Sequence, residues 1–124
     1  MRDPLAQMAE EAREKQAEQM TELNPKILNL MQFARKAGKL VAGVDACIRG
    51  MHHRHIHLIV IAADTSERTV ERIRNEIKAG GNKLLIILAG EQAELSSALG
   101  LPITGVFGIS DKNFAAKMIE YWQA

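Results

Sequence analysis

Apolar side chains recur with two different periods along this chain of 124 residues. Ile27, Leu30, Met31 and Ala34 follow one another at helical spacing. Asn24 is placed to cap that helix, Pro25 suits its first position, and Gly38 supplies its stop. "KLVA" (39–42) reads as a short strand, and after Gly43 a second helix sets Val44, Cys47, Ile48 and Met51 on one face. "HLIVIAA" (57–63) is an unbroken apolar strand of the kind buried on both faces, and "KLLIILA" (83–89) reads as a second one. Between them Ser66 caps a third helix with Val70, Ile73 and Ile77 inward, closed by Gly80 and Gly81. A short helix over Gln92–Leu99, a strand in "GVFGIS" (105–110) and a last helix with Phe114, Ala115, Met118, Ile119 and Trp122 inward complete the pattern. Strands alternating with helices, two strands apolar throughout, predict an α/β fold with helices on both faces of the sheet.

Residues 3–22 do not share this pattern. Their apolar stripe is thin (Leu5, Met8, Ala12, Met20), which predicts an extra N-terminal helix, loosely attached or dependent on a partner. The chain divides accordingly into an acidic helical extension over 1–23 and a domain over 24–124. Met20 opens a stretch that would itself serve as a start, so residues 1–19 are expected to be dispensable for the core function. Charge follows the same boundary. Residues 1–23 hold three basic and six acidic side chains, and residues 24–124 hold 13 basic and nine acidic ones. An acidic tail on a basic domain points to an anionic partner for the domain.

No apolar run approaches the ~18 residues of a membrane span, and the N-terminus lacks the basic-then-apolar order of a signal peptide. The single cysteine, Cys47, excludes an internal disulfide and a zinc site built on cysteine pairs, and fits a reducing cytoplasm. It falls on the apolar face of its helix and reads as a core thiol, not a nucleophile. No serine stands in a nucleophile elbow and no glycine-rich loop carries a P-loop lysine. Asp64 and Asp111 each follow a strand, and Lys112 is adjacent, as in a phosphoacceptor receiver. A receiver also needs paired acids after its first strand, however, so both read as turn and helix-cap residues. No catalytic constellation and no cofactor are expected.

"HHRHIH" (52–57) admits three readings. In an extended chain His53, His55 and His57 alternate onto one side as a metal face, but no neighbouring carboxylate or cysteine completes it, and Arg54 opposes a cation. A solvated turn is the plain alternative. The third is a set of phosphate contacts that strengthen below about pH 6.5. "ARKAGKLVAGVDACIRG" (34–50) is the richer stretch, with Arg35, Lys36, Lys39 and Arg49 against one acid, Asp45. Gly43 lets the chain turn into a helix whose first N–H groups are open. The positive end of that helix, with Lys39 and Arg35 or Lys36, is expected to form an anion site, and Asp45, Ala46 and Arg49 face away from the apolar stripe.

With "LMQFARKAGKLVAG", "HLIVIAADTSERT", "ELSSALG" and "GISDKNFAAKMI" in order, residues 25–122 resemble the kink-turn RNA-binding family of large-subunit ribosomal proteins, in its bacterial YlxQ branch. The resemblance implies a three-layer α/β/α sandwich around a small mixed sheet. It also implies that the helix beginning at the second glycine enters a kink-turn, a sharply bent RNA duplex with sheared G·A pairs. The family motif reads glycine, any residue, asparagine, glutamate, two residues, lysine. Here the same positions hold Gly43, Val44, Asp45, Ala46 and, at the lysine, Arg49. Arginine can grip guanine O6 and N7, whereas Asp45 loses the amide donor and Ala46 makes no polar contact. Arg54 stands where the family has a helix-ending glycine, and His55 and His57 where it has basic residues.

The family's second contact is the loop before the last strand, here Leu101, Pro102, Ile103 and Thr104, which would support an unstacked base. Inward folding of Leu101 and Ile103 is the alternative. The RNA-binding set expected from residues and resemblance together is Arg35, Lys36, Gly38, Lys39, Gly43, Val44, Asp45, Ala46, Arg49 and residues 101–104. The function expected is that of a non-enzymatic, ribosome-associated protein binding structured RNA, with no membrane partner. The alternative is a protein-interaction module whose partner surface includes the N-terminal helix.

Overall fold

The computed structural model describes residues 24–81 and 83–123, so the expected N-terminal helix lies outside the described residues. Five helices and four strands alternate: α1 (Pro25–Lys36), β1 (Leu40–Ala42), α2 (Val44–His52), β2 (Leu58–Ile61), α3 (Glu67–Ala79), β3 (Ile86–Leu88), α4 (Gln92–Leu99), β4 (Val106–Ile109) and α5 (Lys112–Gln123). The sheet order is β1-β4-β2-β3, with β4 antiparallel to both its neighbours and β2 parallel to β3. It is the small mixed sheet of a three-layer sandwich.

Strand alternation assigns the two cores. In β2, Leu58 and Val60 join Ile27, Met31, Phe107, Ile109, Leu95 and Met118 beneath α1, α4 and α5. Ile59 and Ile61 turn the other way, to Cys47, Ile48, Met51, Ile73 and Val106 beneath α2 and α3. All four residues of β2 and of β4 are buried, because these two strands are central and covered on both faces. "KLLIILA" differs from expectation: its ladder is only Ile86–Leu88, and Leu85 is 37% exposed. β3 is an edge strand, which sequence hydrophobicity alone does not distinguish from a central one.

The helix signals act as the residue chemistry requires. Asn24 accepts from the Lys26 N–H, Ser66 from the Thr69 N–H, and Asp111 from the N–H groups of Asn113 and Phe114. Asp64 caps at a distance, its Oδ1 accepting from the Gln92 N–H at 2.9 Å at the start of α4. Both aspartates are thus structural. Cys47 is fully buried, and burial pushes its thiol up to about 12.

Candidate nucleic-acid interface

The start of α2 is fixed by the sheet. Gly43 adopts φ 100°, ψ 150°, a conformation that L side chains rarely take, although a Cβ there would meet nothing within 4 Å. Backbone geometry, not crowding, requires the glycine. Its N–H donates to the Val106 carbonyl at 2.9 Å, which sets the first turn of α2 against the first residue of β4. The helix start has no side-chain cap, so its N–H groups remain open as donors. Val44 is half-buried in the core, while Asp45 and Arg49 are exposed and Ala46 is half-buried.

The loop ahead of β4 divides its apolar residues between inside and outside. Leu101 packs on the first core, whereas Pro102 is exposed and Ile103 is 70% exposed. The loop is shaped by Ser96, a buried polar residue to which sequence reasoning assigned no role. Its hydroxyl accepts from the Thr104 N–H at 2.8 Å and donates to the Thr104 carbonyl at 3.2 Å. Thr104 in turn donates to the Pro102 carbonyl at 2.7 Å. A serine inside the apolar helix "ELSSALG" was the available signal, since a buried hydroxyl needs a partner.

Other members of the expected set are held elsewhere. Lys39 and Gly43 bracket β1 and are separated by roughly 13 Å of extended chain. Lys39 belongs to the far end of the sheet, where its carbonyl accepts from the Ser110 N–H and the His57 N–H donates to Ile109. Gly38, at φ 71°, ends α1 there. Arg35 and Lys36 line a groove between α1 and α4 with Asn29, Gln32, Phe33, Ala98 and Leu99. The residues expected to form a single anion site at the start of α2 are therefore divided between the two ends of β1, since Gly38 and Lys39 bond back to Arg35 and Ala34 in one turn before the strand.

The histidines do not form an extended face. His53 caps α2, Arg54 takes the left-handed conformation at φ 58°, and the His53 and His55 rings stand 6.0 Å apart, both exposed. Among the described residues no group of three His, Cys, Asp or Glu side chains could hold a metal ion. His52 instead bonds Glu76 of α3 at 2.9 Å. The ion pairs between arginine and carboxylate among the described residues are Asp45–Arg72 at 2.9 Å and Glu71–Arg74 at 4.0 Å. Arg35, Lys36, Lys39 and Arg49 take part in none of these pairs. No helix among the described residues is long and apolar enough to cross a membrane.

Comparison with known proteins gives a consistent pattern. The family model for the ribosomal protein L7Ae/L30e/S12e/Gadd45 family matches residues 25–119. The RNA-binding protein YlxQ of Enterococcus faecium is 30% identical over 95 residues, covering 77% of this chain and 89% of that protein. Among solved structures, a protein with unknown function from Bacillus halodurans C is similar with a TM-score of 0.74 and 19% identity, over 82% of this chain and 100% of that one. A Giardia lamblia 15.5kD RNA binding protein is similar with a TM-score of 0.65 and 17% identity, over 82% of this chain and 89% of that one. The two structural likenesses speak to the fold.

Proposed function

The chain belongs to the ribosomal protein L7Ae/L30e/S12e/Gadd45 family, and from that premise we propose that it is a cytoplasmic, ribosome-associated, non-enzymatic protein that binds kink-turn or related structured RNA. The observation that carries this reading is the bond between Gly43 and Val106, which sets an uncapped helix start beside the loop that exposes Ile103. Phosphate oxygens would accept from the first-turn N–H groups of α2, and Arg49, one and a half turns on, would reach a guanine edge or a phosphate. Ile103 would lie against an unstacked base. The name of the Enterococcus relative supports RNA as the partner.

Selectivity is expected to be modest. Base contacts specify and phosphate contacts position, and with Asp45 and Ala46 in the motif, fewer groups remain to read a base. The test is titration of a labelled kink-turn RNA at two salt concentrations, beside the same RNA with its G·A pairs replaced. Binding that is steeply salt-dependent and stronger to the intact kink-turn is the expected result. Equal affinity for both RNAs would refute kink-turn reading. No binding at low salt would overturn RNA binding itself and favour the interaction role of residues 1–23.

A further inference from the structure

The outward face of α1 carries a second constellation, apart from the start of α2. Asn29, Gln32, Phe33 and Lys36 recur at positions i, i+3, i+4 and i+7 and so share one helix face. With Arg35, and with Ala98 and Leu99 from α4, they line a groove of about 250 Å³. Phe33 is 59% exposed there, an aromatic ring turned away from the core in which Ile27, Met31 and Ala34 of the same helix are buried. The Arg35 guanidinium lies at Gly100, 3.3 Å from where a Cβ would stand, which brings its charge to the α4 side of the groove. The side-chain amide of Gln32 donates to the Ala98 carbonyl at 3.1 Å, which fixes that amide and leaves its oxygen as an acceptor. Among the described residues no carboxylate lines the groove.

We propose that this groove binds one unpaired RNA nucleotide, with the base stacked on Phe33, the flanking phosphates held by Arg35 and Lys36, and the base edge met by Gln32 and Asn29. The volume lies just under the ~300–1,000 Å³ of pockets for drug-sized ligands, a scale suited to one base. Two cations unopposed by acid, beside an exposed aromatic, make the combination that recognises single-stranded nucleic acid by phosphate contact and stacking. The inference rests on the RNA-binding reading and extends it. A nucleotide outside the bent duplex would engage α1 while the duplex engages α2. It also gives Arg35 and Lys36 a use, since the fold seats them in this groove and not at the start of α2.

The test uses the full chain with two probes, a short labelled oligoadenylate and a kink-turn duplex lacking unpaired tails. Phe33→Ala should weaken oligoadenylate binding about five- to a hundredfold and leave duplex binding unchanged, while Phe33→Tyr, which keeps the ring, should retain oligoadenylate binding. Because Phe33 is largely exposed, thermal melts should show both variants folded. The proposal is overturned if wild-type protein does not bind oligoadenylate at low salt, if Phe33→Ala binds it as well as wild type, or if Phe33→Tyr falls as far as Phe33→Ala. Tighter oligoadenylate binding by Phe33→Ala would also overturn it, as the mark of a groove filled by a segment such as residues 1–23. Failure of the kink-turn reading appears separately, in the duplex arm.

Discussion

Asp45 Oδ1 accepts a hydrogen bond from Arg72 Nη2 at 2.9 Å, linking the first turn of α2 to α3. The acid that replaces the motif's asparagine is thus engaged with a cation of its own chain. Both side chains are more than half exposed, so the pair contributes little to stability, in the range of ~0–1 kcal/mol. Its consequence is electrostatic: it keeps a negative charge at the helix end where an anion would bind, and it occupies Arg72.

Asp45→Asn should therefore strengthen kink-turn RNA binding by about tenfold, comparable to one good polar base contact, with little change in melting temperature. The substitution supplies an amide donor, removes a charge that repels phosphate, and releases Arg72. Direct titration of wild type and variant measures this, and equal affinities would show that the helix start does not face the RNA.

Arg49→Ala should weaken the same complex by about ten- to a hundredfold and reduce the slope of log affinity against log salt by about one if the contact is to phosphate. An unchanged slope with lost G·A discrimination would assign Arg49 to a base edge instead.

Ser96→Ala should destabilise the fold by about 1–3 kcal/mol, because the Thr104 N–H loses its acceptor in a half-buried loop. The urea midpoint reads this directly. Since Ser96 shapes the segment that exposes Ile103, RNA affinity should fall as well. A variant as stable as wild type would mean the loop is held by other contacts.

Arg54→Gly should stabilise the protein by about 1 kcal/mol, since an L side chain at φ 58° carries strain that glycine does not. The gain should appear as a higher urea midpoint at constant slope. A lower midpoint would show that Arg54 makes a contact worth more than the strain it carries.

The Cys47 thiol gives a pH dependence. Its folded value, near 12, lies above the ordinary 9.0, so the unfolded chain releases the proton first. The stability that this protonated thiol contributes is present below pH 9 and is lost progressively from pH 9 towards 12. Unfolding by urea across that window should show a shallower decline in Cys47→Ala than in wild type. Parallel declines would show that the thiolate is tolerated in the folded protein.

Among the described residues the sequence by itself determined which segments become helices and which become strands, because caps, glycine stops and apolar periods are local. Asn24, Ser66 and Gly38 act within a few residues of where they stand, and the three-layer arrangement follows from strands apolar on both faces. The aspartates at 64 and 111 and the buried thiol at 47 were legible for the same reason. Only the tertiary structure decided which charges share a surface. Lys39 and Gly43 are four residues apart in sequence and lie at opposite ends of β1, because a strand keeps its two ends apart. Phe33 and Ala98, distant in the chain, line one groove because α1 and α4 pack on the same face of the sheet. Asp45 met Arg72, and Ser96 met Thr104, through the same long-range packing, which no local pattern encodes.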